Sequence, residues 1–190
     1  MLEVAGMVTN HLISSGTIAE EERHVYFYGV ETILSAGGFV ALTLSLGWML
    51  GMLPEVFVYL LASMPIRSFT GGYHAPTPEA CIAMSLISAI IAIGLGFQNT
   101  LIALVPLLTI LSLLLVIWLA PVVHPNHPYS EVRRNSLKKQ ARYVGLLESV
   151  LILMLCFVAP NYAVTASVAF LMVSLGILLA IACKQTVKAM

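Results

Sequence analysis

Six apolar segments follow one another along the chain, separated by short polar stretches. They cover residues 30–53, 54–66, 81–97, 101–120, 143–159 and 163–183. Four of these segments have lengths near the roughly 20 residues that a helix needs to cross a bilayer, and 81–97 is at the lower limit. The pattern predicts an all-α fold: a polytopic membrane bundle with about six membrane segments, forming a single domain over residues 1–190.

Two parts of the chain depart from this pattern. Segment 54–66 is only 13 residues long and contains Pro54 and Pro65. It predicts a short helix, re-entrant or partly buried, that packs against neighbouring helices rather than lipid. Residues 1–29 interleave apolar and polar positions and end in an aromatic group that includes Tyr26. This stretch predicts an interfacial amphipathic helix rather than a span.

The composition supports a membrane protein. Hydrophobic residues make up 59% of the chain and charged residues only 9%, whereas a soluble domain is usually about 25% charged. Such a chain has too few polar residues to cover a surface in water, so membrane lipid is its expected environment. The formal net charge is zero, and nucleic acid is therefore excluded as a partner.

The basic residues orient the bundle. Because Lys and Arg are enriched in cytoplasmic loops, we expect residues 121–142 to form a basic cytoplasmic loop. Counting spans from that loop places Arg67, Cys81 and both termini on the cytoplasmic side, with outer turns at 98–100 and 160–162. The basic residues used here are Arg133, Arg134, Lys138, Lys139 and Arg142 in the loop, and Lys184 and Lys188 near the C-terminus.

A polar island interrupts the apolar pattern at residues 67–81, with the sequence RSFTGGYHAPTPEAC. Its end is typical of a helix start, since Thr77 can cap the helix, Pro78 suits its first position and Glu79 suits the positive end of its dipole. Cys81 then lies in the first turn of the following helix. The dipole stabilises a thiolate at such a position, which favours a nucleophilic cysteine.

Two interpretations of the island remain open. In one, His74 contacts Cys81 and the pair carries catalysis, while Gly71 and Gly72 allow close approach of a substrate backbone. In the other, the segment is an ordinary loop between spans, Arg67 only marks the cytoplasmic side, and the histidine and cysteine have no chemical role. Spacing alone does not decide, because the prolines at 76 and 78 disfavour a continuous helix across the segment.

The island resembles the signature of a known family, the accessory gene regulator protein B family of bacterial membrane cysteine endopeptidases in quorum sensing. That signature is a basic residue, then G-x-H-A, then a cysteine seven positions after the histidine, in a small polyhelical membrane protein. Arg67, the run GYHA at 72–75 and Cys81 match it. A weaker similarity is the stretch APVVHPNHP followed by the basic loop, and the layout matches over most of the chain.

The resemblance implies a mechanism and a partner. Cys81 would be the nucleophile and His74 its general base and acid, and Arg67 suits binding of acidic peptide groups or ordering of the loop. The partner would be a short precursor peptide of the autoinducer, lying on the inner face of the bacterial cell membrane. Its cleavage would leave an acyl-enzyme thioester, which an internal cysteine or serine converts into a thiolactone or lactone ring. The family also implies a homodimer.

Other polar residues are weaker candidates. Glu148 lies inside a span, so it is either a functional acid or a partner of Arg142 or Lys139 near the basic loop. His124 and His127 can be considered as metal ligands, but a zinc site needs about four well-directed ligands and a loop is favoured. No metal and no cofactor is expected. The residues assigned to substrate binding or structural support are Arg67, Gly71, Gly72, Glu79 and Glu148.

The main alternative function is a small transporter without catalytic activity. It predicts polar residues deep inside the spans, lining a path through the membrane. The spans carry few such residues apart from Glu148. The polar candidates gather at one membrane face instead, which favours the enzyme.

Overall fold

The computed structural model describes residues 2–71, 77–122 and 130–188, and every regular element within them is helical. The α-helices are, in chain order, α1 Leu2–Ser14, α2 Arg23–Met49, α3 Leu53–Thr70, α4 Pro78–Gly96, α5 Val105–Leu119, α6 Glu131–Val158 and α7 Pro160–Lys188. Short 3₁₀ helices at Glu20–Glu22 and Asn99–Leu104 precede α2 and α5.

Five helical stretches in the described residues are long and apolar enough to cross a membrane. They are Glu20–Met49, Glu79–Gly96, Asn99–Leu119, Glu131–Val158 and Pro160–Ala182. Large apolar side chains such as Trp118 and Phe157 stay exposed on their outer faces, as expected where the surrounding medium is lipid rather than water. The predicted all-α polytopic membrane bundle is confirmed.

Helix α3 is the exception among the apolar segments. It was expected to be short, over 54–66, but it runs from Leu53 to Thr70 with Pro65 inside it. The expectation that neighbouring helices pack around it is confirmed, because it buries Val56, Tyr59, Leu60, Ala62, Ser63, Ile66 and Thr70. Packing on several sides explains why Pro65 does not end the helix, since tertiary contacts offset the lost backbone hydrogen bond.

Helix α7 forms the centre of the bundle and contacts α3, α4, α5 and α6. Eight consecutive residues, 163–170, are buried, and most of them are Ala, Ser, Thr or Val. Small side chains let the backbones of membrane helices approach closely, which favours their association through van der Waals packing. The core of the protein is therefore built around the first half of α7.

The N-terminal region is divided, although residues 1–29 were predicted as one interfacial helix. Helix α1 ends at Ser14, a Ser-Gly-Thr turn follows, and the aromatic group belongs to the start of α2. Arg23 joins the two parts: Nη1 donates to Glu20 Oε1 at 2.7 Å and Nη2 donates to Asn10 Oδ1. Helix α1 thus folds back against the beginning of α2.

The second half of the basic segment predicted at 121–142 is helical. Residues 131–142 form the first turns of α6. Ser130 caps this helix, since its Oγ accepts a hydrogen bond from Arg133 N at 3.3 Å, and Glu131 lies in the first turn. These are the usual signals of a helix start, and they place the basic residues on a helix that extends beyond the apolar span.

The chain reverses between successive helices from α2 to α7, and this defines two ends of the bundle. At the end that carries Cys81, Val122 N donates to Thr70 O at 2.9 Å and joins the ends of α5 and α3. At the opposite end, α4 meets the start of α7, where Gly96 lies against Thr165. That the Cys81 end and both termini face the cytoplasm stays a prediction.

Candidate active site

Cys81 lies in the first turn of α4 and is partly buried. The predicted cap is formed: Thr77 Oγ1 accepts a hydrogen bond from Ala80 N at 3.2 Å, and Cys81 N donates to Thr77 O at 3.1 Å. Pro78 occupies the first helical position and has no N–H of its own. Two hydrogen bonds to Thr77 therefore hold the first turn of α4 next to the sulfur. The N–H groups of Ala80 and Cys81 are both used in these bonds.

Arg67 reaches from the last turn of α3 to the first turns of α4. Its Nη2 donates to Cys81 Sγ at 3.7 Å, and its Nη1 donates to Ser85 Oγ at 3.1 Å. Ser85 lies one turn beyond Cys81 on the same face of α4, so the planar fork of a single guanidinium spans both positions. The structure thus brings together two of the predicted site residues, Arg67 and Cys81.

A second polar layer lies beneath this contact and was not predicted from the sequence. Tyr59 is 3% exposed, and its hydroxyl lies 3.2 Å from both Ser85 O and Ser88 Oγ. A signal for this layer exists in the sequence, because positions 81, 85 and 88 of α4 and positions 59, 63 and 67 of α3 recur at helical spacing. The two polar stripes face each other across the α3–α4 contact.

Gly71 ends α3 in a backbone conformation that only glycine adopts readily, with φ 67° and ψ −156°. A Cβ atom at this position would lie 2.8 Å from Val122 O. A backbone hydrogen bond from Val122 N to Thr70 O holds these two segments together. The end of α3 and the residues after α5 therefore form a tight backbone clasp, the Thr70–Val122 clasp, one turn beyond Arg67.

Glu79 and Glu148 occupy different environments. Glu79 is exposed in the first turn of α4, where its charge favours the helix start. Glu148 lies on the buried face of α6, which packs against α3 beside Ile66. Arg67, the next residue of α3, extends toward α4, and no hydrogen bond or ion pair in the described structure joins it to Glu148. The structure does not bring Glu148 together with Cys81.

The predicted pairing of Glu148 with a basic residue of α6 does not form. Both carboxyl oxygens of Glu148 are buried, and neither pairs with a basic side chain among the described residues. Arg142 Nη2 instead donates to Ile117 O at 3.4 Å, and Lys139 Nζ lies 5.9 Å from the centre of the Tyr143 ring. The reason is helical geometry, because residues six and nine positions before Glu148 project from other faces of α6.

Some predicted site residues lie outside the described residues. They include His74 and Gly72 in the island, and His124 and His127 in the loop after α5. Their roles stay predictions. Within the described ranges 2–71, 77–122 and 130–188, no group of three or more His, Cys, Asp or Glu is placed to hold a metal ion.

The described thiols differ in their surroundings. Cys81 and Cys156 are both free, but only the sulfur of Cys81 faces a guanidinium donor at a helix start. Cys156 lies near the far end of α6, toward the opposite end of the bundle. A partly exposed sulfur beside a cation and a helix N-terminus is complementary to negative charge. The surroundings of Cys81 therefore distinguish it from the other described free thiol.

A comparison with protein families identifies the family of the chain. The model of the family described as accessory gene regulator B matches residues 5–183, nearly the whole chain. A search of curated proteins and a search of solved structures found no significant match. The residues that carry the signature of the island lie inside the matched range. The chain therefore belongs to the accessory gene regulator B family, membrane proteins that take part in the processing of quorum-sensing peptides.

Proposed function

We propose that this protein is a membrane cysteine endopeptidase that cleaves a quorum-sensing precursor peptide, with Cys81 as its nucleophile. The observation that carries the proposal is the contact between Arg67 Nη2 and Cys81 Sγ at the start of α4. The guanidinium faces the sulfur directly, so it is placed to compensate the negative charge that builds up when a cysteine attacks a carbonyl group. The match to the family signature over Arg67, His74 and Cys81 supports the same assignment.

The proposed reaction has two steps. In the first, His74 takes the proton of the Cys81 thiol, and Sγ bonds to a backbone carbonyl carbon of the precursor. The C–N bond then breaks, and the C-terminal tail leaves as an amine that takes this proton from His74. A thioester joins the remaining peptide to Cys81. In the second, an internal thiol or hydroxyl of the peptide attacks that thioester, which closes a thiolactone or lactone ring and releases Cys81. Water would give a linear acid instead, so the site must restrict water during the second step.

The residues around Cys81 have supporting roles in this proposal. The Arg67 guanidinium, held by Ser85, faces the sulfur and is within reach of the negative oxygen that forms on an attacked carbonyl. Gly71 and Gly72 serve the backbone of the island, and Glu79 supports the helix start. Tyr59 steadies the first turns of α4. Glu148 lies where α6 packs against α3, and its carboxyl group has no part in the proposed reaction.

The location of the reaction is part of the proposal. We place the Cys81 end at the cytoplasmic face of the plasma membrane, with both termini on that side, because the basic residues of α6 gather there. A precursor peptide whose amphipathic helix lies on the inner membrane surface would then meet Cys81 at the same depth. We also propose that the protein acts as a homodimer.

The decisive experiment is co-expression of the protein with its candidate precursor peptide, followed by mass spectrometry of the peptide. Cys81→Ala and His74→Ala should each abolish cleavage. Cys156→Ala is the matched control, because it removes the other described free thiol, and it should leave cleavage unchanged. The proposal fails if Cys81→Ala still shortens the precursor.

A second measurement tests the covalent intermediate. A precursor in which the internal cysteine is replaced by alanine cannot close the ring, so the acyl group should remain on Cys81. Intact-protein mass spectrometry should then show an adduct with the mass of the N-terminal peptide fragment. Hydroxylamine should release this adduct, because it cleaves thioesters. An adduct that appears equally on the Cys81→Ala variant would contradict the mechanism.

A further inference from the structure

The end of the bundle opposite Cys81 contains a cavity of about 210 Å³. It lies where the first turn of α3, the end of α4 and the turn between α6 and α7 meet. The residues that shape it are Glu55, Gly96, Phe97, Asn161, Tyr162 and Thr165. The cavity shares no residue with the site around Cys81.

Glu55 is the acidic residue in the lining of this cavity. Its Oε2 atom is buried and has no hydrogen-bond partner among the described residues. Burial of an ionised carboxylate oxygen is costly unless a cation or hydrogen-bond donors compensate for it. A cation that enters the cavity would therefore stabilise the Glu55 carboxylate.

The described helices place no Lys or Arg at this end. Its nine Lys and Arg residues are Arg23, Arg67, Arg133, Arg134, Lys138, Lys139, Arg142, Lys184 and Lys188, and all of them belong to the halves of the helices that lie toward the Cys81 end. Even Arg142, the basic residue that lies farthest along α6, is about 24 Å of helix away from Val158. Within the part of the chain that the structure describes, Glu55 therefore has no Lys or Arg counter-ion.

The other walls of the cavity indicate what kind of cation fits. Phe97 and Tyr162 provide aromatic rings, and aromatic faces attract organic cations. Asn161 and Thr165 provide oxygen atoms; Thr165 Oγ1 already donates to Asn161 O at 3.4 Å. Calcium and magnesium instead bind to about six to eight oxygen ligands, which include carboxylates. The lining of this cavity contains a single carboxylate.

We propose that this cavity binds an ammonium group, held by the Glu55 carboxylate and the rings of Phe97 and Tyr162. The cavity lies at the level where the spans end, so two sources share this chemistry: the headgroup of an amino-phospholipid and a free amine outside the membrane. The proposal is independent of the reaction at Cys81.

The test uses the full-length protein in nanodiscs of phosphatidylglycerol and follows its thermal unfolding. Titration with ethylammonium chloride should raise Tm, and the concentration dependence gives the Kd. Ethanol, which has a similar size and no charge, and sodium chloride at equal ionic strength should not reproduce the rise. Absence of a specific rise would overturn the proposal.

Variants then assign the binding to the cavity. Glu55→Gln keeps the shape and removes the charge, so the Kd should increase about tenfold or more, as expected for loss of a charge-assisted hydrogen bond. Glu131→Gln is the matched control, because Glu131 is also a first-turn carboxylate but lies at the start of α6, at the other end of the bundle. Its Kd should equal that of the wild type. An unchanged Kd in Glu55→Gln overturns the proposal.

A further variant keeps the test valid if Glu55→Gln folds poorly. Phe97 is half exposed at the rim, so Phe97→Leu should fold while it removes one aromatic face, and it should weaken ethylammonium binding several-fold. A wild-type Kd in Phe97→Leu would overturn the role of the ring. Nanodiscs that contain phosphatidylethanolamine identify the source: a higher initial Tm and competition with ethylammonium indicate the lipid headgroup, and identical titrations indicate a free amine.

Discussion

Replacement of Gly71 by alanine tests the Thr70–Val122 clasp that joins the end of α3 to the chain after α5. The new methyl group would meet two obstacles. Gly71 has φ 67° and ψ −156°, a region of backbone conformation that is essentially restricted to glycine. The added Cβ would also lie 2.8 Å from Val122 O, and that atom belongs to the backbone, so no side-chain rotation can relieve the contact.

The expected loss of stability follows from these two effects. The unfavourable backbone conformation costs about 1–3 kcal/mol. Relief of the clash requires the backbone at Val122 to move, which weakens its 2.9 Å hydrogen bond to Thr70 O and costs about 1 kcal/mol more. The sum is roughly 2–4 kcal/mol, which corresponds to a decrease in Tm on the order of 10 °C for a chain of this length.

The assay compares thermal unfolding and precursor cleavage of Gly71→Ala with those of the wild type in the same nanodiscs. Cleavage should decrease as well, since the clasp holds α3 one turn beyond Arg67, and Arg67 contacts Cys81. Gly94→Ala is the matched control: Gly94 is helical and a Cβ there meets nothing within 4 Å, so its stability should be unchanged or higher. Wild-type Tm and wild-type cleavage in Gly71→Ala would refute the reasoning.

Three further predictions follow from the site and its surroundings. Arg67→Lys should lower kcat/KM for precursor cleavage about tenfold or more, because one ammonium group cannot replace a guanidinium that donates to both Ser85 and Cys81. A wild-type value of kcat/KM would contradict the assigned role. Tyr59→Phe removes a buried hydroxyl and should lower Tm by roughly 2–4 °C. The exposed control Tyr143→Phe should leave Tm unchanged. Equal changes in Tm for the two variants would exclude a stabilising contact between the Tyr59 hydroxyl and α4. Glu148→Gln should unfold at the same or a higher temperature, since no basic side chain pairs with the buried carboxyl group in the described structure. A large decrease in Tm would show that the carboxylate is compensated.

The sequence was sufficient for the fold class and for the start of α4. Long apolar segments form helices in a bilayer, because a helix satisfies every backbone hydrogen bond within the segment itself. Five such helices are present in the described residues. The cap at Thr77 was equally predictable, since a capping hydroxyl followed by proline acts through neighbouring residues of the chain. Local signals of this kind depend on a few adjacent residues, so the packing of the rest of the chain does not alter the structure that they predict.

Helix boundaries were less predictable, because they depend on competition between local and tertiary effects. Pro65 suggested an end for α3, but the helix continues to Thr70 where α6 and α7 pack against it. The basic residues suggested a loop before α6, but the cap at Ser130 starts the helix earlier. The ion pair expected for Glu148 failed for a geometric reason, since its partners project from other faces of α6.

What only the tertiary structure decided is which distant residues meet. From the sequence alone, Arg67 was a charge near a membrane face and Cys81 a thiol at a helix start; their 3.7 Å contact depends on how α3 and α4 pack. The layer of Tyr59, Ser85 and Ser88 and the cavity at Glu55 arise in the same way. A pattern of residue types records which face of a helix is polar, whereas the relative positions of helices result from the packing of many side chains at once.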